Sequence, residues 1–141
     1  MIIEGGKFKD FRGEIGFVND FDMTNVKRFY TISHPDTRIV RAWQGHKIET
    51  RWFYCTEGVF DIRVVKVDNW ENPCNNLNVE KYILNSETPM ILKIPAGYVS
   101  GIKAILKNSK LISFSNFKLN ENKNDDFRYD KDKWTNWNFL K

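Results

Sequence analysis

The chain is short of the side chains that most often carry chemistry. Its 141 residues include two histidines and two cysteines. Cys55 and Cys74 have neither metal-ligand nor CxxC spacing, which argues against a zinc ribbon or a thioredoxin-type site and leaves two free thiols. No long Lys/Arg run marks a nucleic-acid tract, and the net charge of +4 is a mild excess that suits an anionic small molecule. Met1 is followed by IIEGGKFKD, not by a basic segment and an apolar run, so no secretory signal is expected. No stretch approaches membrane-spanning length. A reducing cytoplasm is the expected compartment. Before residue 125 no apolar period of 3.6 residues is sustained, so helices are not expected there.

What the chain has is strands. Aromatic residues make up 15%, a composition that favours them. Short apolar or alternating runs are expected as strands at Ile2–Phe8, Ile15–Val18, Lys27–Ser33, Ile39–Ala42, Thr50–Cys55, Val59–Val67, Lys81–Asn85, Met90–Ile94, Val99–Leu106 and Lys110–Phe117. Turn signals separate them: Asp10-Phe11-Arg12-Gly13, His34-Pro35-Asp36-Thr37, Glu57-Gly58 and Glu87-Thr88-Pro89. Asp68–Asn78 reads as the longest loop. Phe127–Lys141, with Trp134 and Trp137, is expected to cover one barrel end as a short helix or coil. The length suits one domain, residues 1–141, and the spacing suits an all-β sandwich or barrel.

One stretch concentrates polar groups among aromatics. Val40–Phe60 holds Arg41, Gln44, His46, Lys47, Glu49 and Arg51 beside Trp43, Trp52, Phe53 and Tyr54. Such groups are costly to bury unless partnered or used. Its spacing resembles the first motif of the cupins, G-x5-H-x-H-x3–4-E-x6-G, and Pro95-Ala96-Gly97-Tyr98-Val99-Ser100 resembles the second, P-x-G-x2-H. The resemblance implies a double-stranded β-helix, a jelly-roll barrel. The four metal-ligand positions fall on Gln44, His46, Arg51 and Ser100. Only His46 is a good transition-metal ligand, and a guanidinium has no lone pair to give. The barrel mouth is therefore expected to be metal-free, with no cofactor.

Further motifs resemble one cupin group, the dTDP-4-dehydrorhamnose 3,5-epimerases and the dTDP-sugar 3,4-ketoisomerases (WxcM-like proteins). Asp10-Phe11-Arg12-Gly13 is similar to their D-x-R-G. Arg28-Phe29-Tyr30 followed by Arg41-Ala42-Trp43-Gln44-Gly45-His46-Lys47 is similar to the ketoisomerase R-x-F-Y strand and R-G-x-H-A-H-K. Ile94-Pro95-Ala96-Gly97 matches the return strand, Phe114-Ser115-Asn116-Phe117 the S-D-Y-Y strand, and Asp125–Asp130 the D-Y-I-R-D-Y tail. Three departures stand out. Gln44 replaces the first histidine, Phe117 falls where the epimerases carry an acid tyrosine, and Ala42 replaces the glycine after Arg41.

The resemblance implies a nucleotide-sugar ligand, dTDP-linked in the family, and a 4-keto-6-deoxyhexose isomerase or epimerase of surface-polysaccharide biosynthesis. A homodimer through the N-terminal strands is expected; neither nucleic acid nor a membrane is expected as partner, on the charge pattern and the lack of a long apolar run. The alternative is a cupin that binds a sugar or nucleotide sugar without turning it over, which Gln44 and Phe117 favour. His46 is the candidate base, since a histidine titrating near neutrality can move a proton beside a carbonyl; the competing reading is a partly buried, hydrogen-bonded histidine. Gln44 can hydrogen-bond a sugar oxygen or simply be hydrated. Arg41 is read as a diphosphate or keto-oxygen contact; Arg51 stays open between that role and an ion pair with Glu49 or Glu57. Tyr30 is a sugar contact or a core aromatic. Arg28 and Lys47 are phosphate contacts or solvated charges. Trp43 and Trp52 stack on a base or belong to the core or dimer interface. His34 is read as a surface-loop residue and Cys55 as packing.

Overall fold

The computed structural model describes residues 1–138. Twelve strands are present among them: β1 (Ile2–Glu4), β2 (Gly6–Asp10), β3 (Gly13–Phe17), β4 (Arg28–Ser33), β5 (Val40–His46), β6 (Arg51–Glu57), β7 (Val59–Lys66), β8 (Val79–Asn85), β9 (Met90–Ile94), β10 (Tyr98–Ala104), β11 (Lys110–Ser115) and β12 (Phe127–Arg128). One antiparallel sheet runs β1-β9-β6-β11-β4 and the other β12-β5-β10-β7-β8; β2 and β3 form a separate hairpin. Among the described residues no helix is long and apolar enough to cross a membrane.

The two sheets face each other because alternate residues of each strand are apolar. Phe60, Ile62 and Val64 of β7 point inward and meet Phe53, Leu92, Ile94, Ile102 and Leu111. Each such side chain, fully buried, contributes about 1.5–3 kcal/mol. Cys55 belongs to this cluster, and burial pushes its thiol up to about 11, the behaviour of a packed and unreactive cysteine.

The outward residues of β7 are not solvated. Asp61 and Arg63 are both buried and form an ion pair at 2.8 Å. Arg63 also donates to Thr135 Oγ1 at 2.7 Å and lies 4.4 Å from the Trp137 ring. Trp137 joins Trp43, Val65 and Val99 in a second core, with Trp134 and Tyr129 packed on it.

Two expectations change here. The tail covers the outer face of the second sheet instead of a barrel end. Its only regular piece among the described residues is β12, which pairs with β5; positions 139–141 of the expected tail lie outside those residues. The run Ile2–Phe8 is two strands, because Gly5 sits where a Cβ would lie 2.0 Å from the Phe17 carbonyl oxygen. β1 therefore joins β9 while β2 turns away to pair with β3.

Candidate active site

A bulge places the polar side chains of β5. Its register with β10 pairs Gln44 with Ser100 and then Arg41 with Ile102, so Ala42 and Trp43 together oppose Gly101. Two residues against one is a β-bulge. Arg41 and Gln44, three apart, both turn into the barrel, while Ala42 and Trp43 turn out into the second core. Gly101 is required on the other strand, since a Cβ there would stand 2.4 Å from Trp137 and 2.8 Å from the Ala42 Cβ.

A cavity of about 490 Å³ opens between β4 and β5. Arg28, Tyr30, Arg41, Gln44, Arg51 and Ser100 line it, joined by Arg128 of β12. Four arginines and no carboxylate contribute to this lining among the described residues. A recess of about 230 Å³ adjoins it, lined by His46, Glu49, Asp125 and Asp126, with Lys118 and Lys123 beside them. Arg28, Gln44 and Arg51 line both spaces and so form their common wall.

The arginines differ in what holds them. Arg51 Nε pairs with Glu49, and its Nη1 donates to the Tyr30 hydroxyl at 2.7 Å. Of the two ion pairs open to Arg51, the one with Glu49 forms. Glu57 lies at the far end of β6, 3.8 Å from Lys110. Arg28 stands 4.0 Å from the Glu49 carboxylate and donates to the Phe117 carbonyl at 3.1 Å. Arg128 pairs with Asp126 at 3.3 Å. Arg41 has no hydrogen bond or ion pair among the described residues, leaving its guanidinium the uncompensated charge of the cavity.

His46 is buried in the recess. Its Nδ1 bonds to the backbone carbonyl of Asp125. A carbonyl can only accept, so Nδ1 carries the proton and the lone pair of the neutral ring is at Nε2. Nε2 is buried without a hydrogen-bond partner among the described residues, 4.0 Å from Glu49 Oε2. Burial lowers the His46 pKa and Arg51 lowers it further; the Asp125 carbonyl bond and the carboxylates of Glu49 and Asp125 act in the opposite sense. The imidazole is thus neutral near pH 7, as a proton acceptor must be.

Asp125 builds the turn that carries these groups. Its carboxylate accepts from the backbone N–H groups of Lys47 (2.6 Å), Ile48 (3.1 Å) and Glu49 (2.9 Å). Its neighbour Asp126 accepts from Gln44 Nε2 at 3.1 Å, which leaves Gln44 Oε1 as a free acceptor. Lys47 lines neither space; its ammonium lies 5.1 Å from the centre of the Phe127 ring. Trp43 and Trp52 are both buried away from the cavity, Trp43 in the outer core and Trp52 beside Phe21.

His34 does lie in the loop after β4, half-buried. Its two ring nitrogens are enclosed without partners among the described residues, its ring meets Phe60 edge-on, and burial and then Arg41 lower its pKa. Asp125, Asp126 and Arg128 are site residues that no spacing around His46 indicates. The acidic start of the tail, Asp125–Asp130, was the available signal, because β12 pairs with β5 at Gly45 and Gln44.

The fold and the positions of Gln44, His46, Arg51 and Ser100 define a cupin barrel whose mouth is rich in arginine. No model of a known protein family and no curated protein matches the sequence. Solved structures do. A dTDP-4-dehydrorhamnose 3,5-epimerase from Bacillus anthracis, solved with TDP and PPi bound, has a TM-score of 0.76 at 14% identity, over 96% of this chain and 83% of its own. The WlaRB TDP-quinovose 3,4-ketoisomerase from Campylobacter jejuni has a TM-score of 0.67 at 20% identity, over 92% of both chains. A variant of the 3,4-ketoisomerase QdtA from Thermoanaerobacterium thermosaccharolyticum, in complex with TDP-4-keto-6-deoxyglucose, has a TM-score of 0.69 at 18% identity, over 92% of this chain and 86% of its own. At these identities the likeness is one of fold.

Proposed function

We propose that the protein is a metal-free isomerase or epimerase of nucleotide-linked 4-keto-6-deoxyhexoses. The observation that carries this reading is an arginine-lined cavity with no carboxylate among the described residues, sharing a wall with a recess that holds a histidine whose Nε2 lone pair is fixed by its other hydrogen bond. An arginine surface of this kind matches a diphosphate, which guanidinium groups bind through paired hydrogen bonds. The fold neighbours that carry TDP or a TDP-sugar support dTDP as the nucleotide.

In this reading His46 Nε2 takes the proton from the carbon beside the keto group. The electron pair left behind enters an enediolate; the proton of the adjacent hydroxyl passes to the former keto oxygen, and His46 returns its own proton to the former keto carbon, so that the carbonyl moves by one position. Arg41 meets the diphosphate. Tyr30 accepts from Arg51, so its own O–H is free to donate to the enediolate oxygen. Gln44 Oε1 accepts from a sugar hydroxyl. Arg28 contributes positive charge, and Lys47 belongs to the outer rim. Such an enzyme would work in the cytoplasm, where nucleotide sugars are made, and supply surface-polysaccharide synthesis. A homodimer through the N-terminal strands is supported by exposed Phe8, Phe11 and Ile15 on the β2–β3 hairpin.

Two observations favour a second reading, a binder without turnover: Nε2 is screened from solvent, and Gln44 cannot exchange protons. Solvent-deuterium exchange into a panel of dTDP-, UDP- and GDP-linked 4-keto sugars separates the two. Label entering C3 or C5, and lost in His46→Ala, supports the enzyme. Saturable binding with no label in any sugar supports the binder.

A further inference from the structure

We propose that Glu49 is the positioning residue for proton transfer by His46. Its buried carboxylate is the counter-ion that holds Arg51 against Tyr30 and that pairs with Nε2 once the imidazole is charged. The inference rests on the isomerase reading and adds to it a group that acts through its neighbours.

The geometry is a carboxylate surrounded by three nitrogen-bearing side chains. Glu49 is 8% exposed. Arg51 Nε bonds to its Oε2, and Arg28 and His46 Nε2 each stand 4.0 Å from that same oxygen. With the proton on Nδ1, the Nε2 lone pair and the carboxylate are both acceptors and cannot bond, which accounts for the gap. When Nε2 accepts a proton, the pair becomes an imidazolium facing a carboxylate. Closing by about 1 Å makes a charge-assisted hydrogen bond. The substrate C–H bond breaks, its electrons pass into the enediolate, and its proton resides on Nε2 until returned. Glu49 stabilises that interval and itself gains or loses no proton.

Other charges around His46 cannot replace it. Asp125 uses its carboxylate on three backbone amides and Asp126 is tied to Gln44 and Arg128. Lys118, Lys123, Arg28 and Arg51 oppose an imidazolium, and Tyr98, the register partner of His46 on β10, brings no carboxylate. Gln44, at the position of a second histidine in the ketoisomerase pattern, offers no titratable group. Without Glu49, the charged imidazole would face two guanidiniums.

The two histidines make the test direct. Their ring protons are titrated by NMR, with His34→Asn assigning the signals, in the otherwise unchanged chain and in Glu49→Gln and Glu49→Asp. The His46 titration is expected to move to lower pH in Glu49→Gln and to return toward its original position in Glu49→Asp. In the exchange assay, Glu49→Gln is expected to lose about tenfold or more in the rate of label entry, with KM changed by less than about threefold and the acid limb of the profile displaced to lower pH. A folded Glu49→Gln protein whose His46 titration is unmoved overturns the proposal. If Glu49→Gln does not fold, Glu49→Ala decides it: a His46 titration moved to lower pH supports the proposal and an unmoved one overturns it. Absence of label from every sugar with the unaltered protein defeats the isomerase reading, while the titration still reports on Glu49.

Discussion

His46 and Asp125 are 79 residues apart and joined by one bond, from the ring Nδ1–H to a backbone carbonyl. That bond fixes which nitrogen can act as a base. It also fastens the loop before β12 over the recess, so chemistry and stability share a contact.

Replacing His46 with alanine is expected to abolish label exchange and to leave the Asp125 carbonyl without its partner. The stability loss should be about 1–3 kcal/mol, measured by urea unfolding. A variant with undiminished exchange would remove His46 from the mechanism.

Asp125→Ala should cost more than a surface substitution does. Three backbone amides of the β5–β6 turn lose a charged acceptor, so a loss of about 3 kcal/mol is expected. Because that turn carries Glu49, exchange should fall as well. Loss of stability below about 0.5 kcal/mol would mean that water replaces the carboxylate.

Stability should fall as the solution is made acidic. His34 and His46 have pKa values below 6.5 in the folded chain, both chiefly through burial. Unfolded, they bind protons at about 6.5. The unfolded state therefore holds more protons between the folded and unfolded values, and stability rises with pH across that window. The contribution is present above about pH 6.5 and is lost as pH falls toward the folded values. Unfolding curves from pH 5 to 8 test this, and His34→Asn should flatten part of the slope.

Arg41→Gln should weaken nucleotide binding and leave folding alone, since its guanidinium has no partner among the described residues. A loss of about tenfold in TDP affinity, close to 1.4 kcal/mol, is expected. The difference from the unaltered protein should shrink at high salt. Calorimetric titration at two ionic strengths measures both.

Gly101→Ala and Trp137→Ala should be non-additive. The added methyl would collide with Trp137 and undock the tail, so each change removes the same contacts. Trp137→Ala alone should cost about 3–5 kcal/mol. If the double variant loses the sum of both, the tail does not dock on Gly101.

Alternation and turn residues, read along the chain, were enough to mark most strands, because a half-buried strand writes its two faces into every second residue. They were enough, too, for the cupin spacing and for a barrel mouth holding Gln44, His46, Arg51 and Ser100. Alternation alone puts Arg41 on the face opposite Gln44 and His46. The bulge against Gly101 reverses that, and it exists because Ala42 and Trp43 both find apolar partners outside the barrel. The split of Ile2–Phe8 and the seat of the tail were also beyond local pattern, since each depends on a backbone or ring approaching from a distant segment. The charge pattern of the site was equally hidden. Glu49 takes Arg51 over Glu57, Asp126 takes Gln44, and Arg41 is left unpaired through distances that only the folded sheets set. Sequence determined which groups this protein owns and which strands carry them. Tertiary structure decided which of them face one another, because burial and pairing energies depend on ångströms that residue order does not contain.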